Sequence, residues 1–461
     1  MIAALALLIP PLVLVCLRER VLGRQRPWRQ QIVPYFVAAL ALNGAALFAA
    51  DLLLMGDNPI ARLTDSGLFA CKYMALSVAL ALMEPYCERF FLRAASSSWS
   101  RNDNAELPGA GGRKVYIDFL RIIAIYMVLF NHTETSGFML FTEARESALY
   151  WFYLSNSIFI KVAVPLFYMV SGALLINRDE PIRKILKNRV LKYAIALLVS
   201  SLLVYAYSCL RRFPRDMALD VFLNAFFTSE LSVALWYLYA YLAFLLMLPF
   251  LRKMARGMTN REFMWLLMMY TVINLLGIID FLIWKGEARF NGSFSFFINT
   301  AYVFYPLMGY FLEHRLEEKD YNAKTLAELT ALSIVSIGIC CVMTQYRSTL
   351  LDAWNEGNSQ TFFNSLIFVP AITVYYAAKM WFMHHRIGER AKHMLSVLGD
   401  CTFGLFLIEY ICRIETMPVF NFLRPILHPL SACWVWIAAA CALGMAITYL
   451  VKKIPGVNKF I

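Results

Sequence analysis

Long apolar runs alternate with short polar stretches along all 461 residues. Thirteen of these runs are roughly 17–25 residues long, the length a helix needs to cross a bilayer. They fall at about 1–17, 32–55, 67–92, 115–140, 150–177, 193–210, 233–251, 263–284, 296–313, 326–345, 362–383, 394–412 and 433–451. The pattern predicts an all-α polytopic membrane protein of about thirteen helices. One polar stretch stands apart. SSSWSRNDNAELPGAGGR, residues 96–113, is rich in Gly and Ser and reads as a linker. It separates a three-helix N-terminal segment, 1–95, from a ten-helix core, 114–461. No internal repeat of the kind that marks many transporters stands out.

Composition sharpens the class. Apolar residues make up 60% of the chain and charged residues 16%, with a mean hydropathy of +0.58, more apolar surface than a soluble protein can hide. The net charge of +12 raises the question of nucleic acid, but the cations form no single patch. They sit in alternate loops instead: one set holds 28 Lys and Arg and the other 10. Basic loops stay in the cytoplasm, so the expected topology has the N-terminus outside and the C-terminus inside, in the plasma membrane, with membrane lipid and no nucleic acid as partner. The first run has no cation ahead of it and Arg18, Arg20, Arg24, Arg26 and Arg29 behind it, which predicts a retained anchor. Ten scattered cysteines form no CxxC pair and read as small apolar fillers.

The run 115–140 carries candidate chemistry. A charge at mid-bilayer costs roughly 2.5–3.5 kcal/mol on insertion scales, so each one asks for a function. Arg121 and His132 are eleven residues apart. At 100° per residue they fall about 20° from one another after three turns, roughly 16 Å apart along one stripe. Asp118 can pair with Arg121 three residues on, and Ser136 would extend the stripe. Asp118 and Arg121 either pin the helix end or serve a ligand. His132 either bonds a neighbouring helix or removes a proton from a hydroxyl, since imidazole titrates near neutral pH. Trp236 and Tyr237 open another run as a belt residue pair or a sugar-stacking surface. His384, His385 and His393 sit in a basic loop without acidic or cysteine ligands at useful spacing, so no metal is expected.

Arg121, ten intervening residues and His132, preceded by Asp118-Phe-Leu, resemble the first core helix of membrane-bound acyltransferase family 3. KVAVPLFYMVSGALLI (161–176) is similar to that family's second helix. The basic loop IRKILKNRVLKY (182–193), LWYLYAYLAFLLMLPFLR (235–252) and YPLMGYFL (305–312) continue the likeness, which covers about 114–452. The resemblance implies transfer of an acyl group, acetyl as the simplest guess, from cytoplasmic acyl-CoA to a hydroxyl of a cell-surface glycan or lipid-linked sugar. It implies a catalytic role for His132 and Arg121, with Asp118 beside them. Cations expected at the donor phosphates are Arg121, Arg183, Lys184, Lys187 and Arg189. Lys161, also expected on the acyl-CoA side, would pair with Asp118 or Glu409, or stabilise an oxyanion. Two departures stand out: Ala234 precedes Leu-Trp where the family often has histidine, and Glu409 stands where a late helix commonly ends in histidine. His132 would act as general base or as a transient acyl carrier. Trp236, Tyr237 and Glu409 are candidates for the acceptor side. The rival expectations are a transporter or flippase of a glycan intermediate, and a scaffold or sensor on a decayed enzyme core.

Overall fold

The computed structural model describes residues 113–454 apart from 148, 212–217, 229–230 and 285–299. The three N-terminal runs and the linker up to residue 112 lie outside the described residues. Among the described residues the chain is helical and has no strand. Helices of seven or more residues, in chain order, are α1 (Val115–Asn131), α2 (Tyr150–Ile160), α3 (Ala163–Leu175), α4 (Leu191–Arg211), α5 (Leu219–Thr228), α6 (Trp236–Gly257), α7 (Asn260–Trp284), α8 (Ala301–His314), α9 (Ala323–Leu350), α10 (Phe368–His384), α11 (Glu389–Leu407), α12 (Glu409–Glu415), α13 (Met417–Leu423) and α14 (Pro429–Val451).

Every apolar run after residue 114 coincides with one of these helices or with a consecutive pair. Among the described residues, six stretches are long and apolar enough to cross a membrane: 150–175, 182–211, 233–257, α7, α9 and α14. A seventh is added if α11 and its bent continuation count as one span. The remaining three runs, expected as full spans, are the shorter α1, α8 and α10, of 17, 14 and 17 residues.

Three interruptions depart from the expected continuous helices. First, α1 stops at Asn131, although its apolar run continues to 140. The hydroxyl of Thr133 donates to the Phe130 carbonyl (2.7 Å) and accepts from the Phe138 amide (2.9 Å), replacing the helical ladder. Glu134 then takes a left-handed φ of 49°. Ser136 ends in a separate turn, so it does not extend the Arg121–His132 stripe. Second, α2 and α3 are separated at Lys161–Val162. Pro165 has no N–H to offer the Lys161 carbonyl four residues back. The chain tightens there through Lys161 N to Ile158 O and Val162 N to Phe159 O, both 3.1 Å. Third, α11 and the helices after it meet at 86° across Ile408, which makes Glu409 the first residue of α12. A carboxylate suits that position, where unpaired N–H groups point outward.

The chain divides into two compact units. In the smaller, the described residues are 274–284 and 338–362. There the Phe281 ring meets Tyr346 and Phe362 at 5.9 and 4.9 Å, with the Arg347 guanidinium over it at 5.3 Å. In the larger, α1 is central, packed by α2, α3, α10, α11 and α14. Leu120, Ala124, Ile125, Leu129 and Phe130 on α1 are essentially inaccessible. The closest pair is α3 with α8. A Cβ on Gly172 would strike the backbone of Pro306, and one on Gly309 would strike the backbone of Met169. The two helices therefore touch main chain to main chain, which only glycine permits. Outward faces stay apolar, as on α4, where Leu198, Val199, Leu202 and Leu203 are exposed. That is the pattern of a lipid-facing helix.

The segment after α3 is fastened by one carboxylate. Glu180 accepts from Arg189 (3.0 and 2.7 Å) and from Arg252 (3.1 Å), while Arg252 also donates to the Leu175 and Glu180 carbonyls at 3.0 Å. The Arg189 hydrogen bonds, with help from Arg252, hold the Glu180 pKa down at about 2.

Candidate functional site

Two adjoining cavities lie along α1. The first, of about 250 Å³, is lined by Asn131 and His132 at the end of α1 and by Lys161 at the α2–α3 break. Trp236, Tyr237, Tyr302, Tyr305 and Asn364 are also in its wall. The second, of about 220 Å³, surrounds Arg121 with Ser171, Lys192, Tyr193, Tyr241, Asp400, Phe403 and Lys452. Phe167, Tyr237 and Phe406 belong to both walls. The eleven-residue spacing therefore sets Arg121 in one chamber and His132 in the next, roughly 16 Å apart by helical rise.

Behind His132 lies a buried charge relay. Its Nδ1 is 3.5 Å from Glu409 Oε1, and Glu409 Oε2 is 3.7 Å from Arg413 Nε. The three side chains are 8%, 2% and 13% exposed, so the Glu409 and Arg413 charges depend on each other. These are ion-pair distances rather than good hydrogen bonds. Nδ1 is the ring nitrogen turned to Glu409, and the imidazole is in the chamber wall. Arg413 is fixed from α14, because the Trp436 indole donates to the Arg413 carbonyl (3.2 Å) and to Thr416 (3.1 Å).

Asp118 sits at the other end of α1, 2% exposed. It accepts from Arg113 Nε (2.6 Å) and Nη2 (3.0 Å), with Arg121 farther off at 3.6 Å. Arg113 also donates to both oxygens of Asp400 at 2.8 Å. That fork ties α1 to α11, whose Gly399 leaves room for the Asp118 side chain. Asp118 lines neither chamber described above. The Arg121 chamber keeps a positive excess: with Arg113, the cations Arg121, Lys192 and Lys452 outnumber the two carboxylates beside them, Asp118 and Asp400.

The other residues singled out from sequence fall in different places. Lys161 lines the His132 chamber and lies over the Phe138 ring at 4.8 Å. Trp236 and Tyr237 are in the same wall, with Tyr237 reaching both chambers. Glu409 is behind His132, while Asp118 and Glu409 have Arg113 and Arg413 beside them. Arg183, Lys184 and Lys187 are exposed, and Arg189 is engaged by Glu180. Sequence reasoning passed over Lys192, Lys452, Arg413 and Asn364. Lys192 and Lys452 each sit at the boundary of an apolar run, a place where cations are expected for topology alone. Arg413 has a legible signal, its i,i+4 spacing from Glu409. Asn364 has none, being a small polar residue beside Ser365 at the start of an apolar run.

A family model described as an acyltransferase domain, that of acyltransferase family 3, matches residues 114–453, nearly three quarters of the 461 residues. No curated protein and no solved structure matches the chain.

Proposed function

The chain belongs to acyltransferase family 3, and from that premise we propose that this membrane acyltransferase moves an acyl group, acetyl in the simplest case, from acyl-CoA to a hydroxyl of a cell-envelope sugar, with His132 as general base. The observation that carries this reading is the pair of adjoining chambers on α1, one cationic around Arg121 and one holding His132 backed by Glu409. Arg121, Lys192 and Lys452 suit the donor's phosphates, which favour guanidinium and ammonium partners. The basic bias of the loops on that side supports a cytoplasmic entrance in a plasma-membrane protein, where acyl-CoA is available.

The chemistry follows from the residues. An acceptor hydroxyl gives its proton to His132 Nε2 as its oxygen attacks the thioester carbonyl carbon. Glu409 holds the other nitrogen and offsets the positive charge that the imidazole gains, while Arg413 faces the second carboxylate oxygen and keeps it aimed. The carbonyl oxygen becomes an oxyanion, for which Lys161 and the amides of Asn131 and Asn364 are the donors in the same wall. Collapse re-forms the carbonyl and breaks the C–S bond. The departing CoA thiolate takes the proton back from the imidazolium. Base assistance of this kind is worth roughly 10²–10⁴ in rate. Trp236 offers a flat apolar face to a sugar ring on the acceptor side.

The test uses purified full-length protein with acetyl-CoA and a soluble glycan acceptor. Release of free CoA that requires the glycan, lost in His132→Ala at equal amounts of folded protein, is the expected result. A transporter would leave acetyl-CoA intact, and full turnover by His132→Ala would remove the assignment of the base.

A further inference from the structure

Phe167 from α3, Tyr237 from α6 and Phe406 from α11 stand between the Arg121 chamber and the His132 chamber, and each contributes to both walls. Tyr237 is in the middle. Its ring centroid is 5.9 Å from Phe167 and 5.6 Å from Phe406, both inside ring-contact range. It also stacks on Tyr241 at 5.6 Å, and Tyr241 is braced by Tyr193 at 4.8 Å. Three helices thus supply a row of touching rings, Phe167–Tyr237–Phe406, in the wall shared by the cationic chamber and the chamber of the imidazole.

We propose that these three rings form an aromatic gate that sets which acyl groups reach His132. The inference rests on acyl-CoA being the donor. Phosphates anchored near Arg121 put the thioester one extended arm away, on the far side of the rings. A short unbranched acyl group passes edgewise when a ring turns about χ1 or χ2, a motion of picoseconds to nanoseconds in open surroundings and slower in packed ones. A branched group needs two rings to move together, against packing that resists added volume. The same rings keep water of the cationic chamber from the activated thioester.

The experiment compares CoA release from acetyl-CoA and from 2-methylpropanoyl-CoA by the full-length protein, with and without a glycan acceptor. Phe167→Ala and Phe406→Ala should raise the branched-to-acetyl rate ratio at least tenfold and increase acceptor-independent CoA release. Phe406 is 7% exposed and its loss risks misfolding; Phe167 is less buried and serves as the independent variant. Tyr237→Phe, which keeps the ring, should leave the ratio within twofold. An unaltered ratio and unaltered acceptor-independent release in an active Phe167→Ala protein would overturn the gate alone. No CoA release from either donor by the unsubstituted protein would overturn the donor assignment and the gate with it.

Discussion

Replacing Glu409 by Gln removes one charge and almost no volume, which makes it the sharpest probe of the relay. The carboxylate is 3.5 Å from His132 Nδ1. At an effective dielectric of about 20, two unit charges at that separation attract by about 5 kcal/mol. Because the proton would be only partly transferred at the transition state, roughly 3–4 kcal/mol of that attraction would be felt by the imidazole as its charge develops. At about 1.4 kcal/mol per decade, kcat should fall by roughly 10²–10³ while KM for acyl-CoA stays near its original value. The substitution also leaves Arg413 buried without its partner, a loss that costs about 3–5 kcal/mol in comparable pairs. A second variant, Glu409→Gln with Arg413→Gln, should therefore recover thermal stability and remain inactive. The assay is steady-state CoA release alongside a melting curve in the same detergent. A Glu409→Gln protein that folds normally and keeps kcat within threefold would refute the relay.

Three further outcomes follow from other parts of the molecule. Arg121→Gln or Lys452→Gln should raise KM for acyl-CoA by about 10–100-fold, the value of one charge-assisted hydrogen bond, with kcat changed less than threefold; a kcat effect without a KM effect would argue against phosphate binding. Gly309→Ala should lower stability by at least about 2 kcal/mol, because its Cβ meets the Met169 backbone. Gly277→Ala, with no described atom within 4 Å of its added carbon, should be neutral or slightly stabilising; equal losses in the melting curves would undo the packing argument. Glu180, whose folded pKa is about 2 against an ordinary 4.5, contributes stability that is complete above pH 4.5 and fades as pH falls toward 2. The contribution is on the order of 1–3 kcal/mol after allowing for solvent near the loop. Glu180→Gln should lose it at neutral pH and flatten acid unfolding over that window.

Much of the helical framework is legible in the sequence, because apolar length is a coarse signal that depends on few residues. Interruptions are not legible in the same way. The α1 end depends on a single hydroxyl, Thr133, choosing two backbone partners. The α2–α3 break is signalled by Pro165, but its effect is felt four residues earlier, at Lys161. The bend at Ile408 has neither proline nor glycine at the break, and nothing in the local sequence announces it. That bend is also what turns Glu409 toward His132, so the carboxylate stands out from sequence only as a departure from the family pattern. The Arg121–His132 spacing is readable since the helix carrying Arg121 runs unbroken to the residue before His132. Lys192 and Lys452 were hidden because a cation at a helix end has an ordinary topological explanation. Arg113 was absorbed into a flexible-looking tract, although its guanidinium bridges two helices.

Where α3 and α8 touch through Gly172 and Gly309, neither helix has a side chain that can be trimmed or exchanged. One turn away, their residues form part of the wall around His132. That side of the vessel is therefore fixed in breadth, however the rest of the sequence drifts. A relative adapted to a bulkier hydroxyl-bearing molecule would have to find the extra room opposite, at Trp236 or Asn364, and a survey of acceptor preference should look for its variation there.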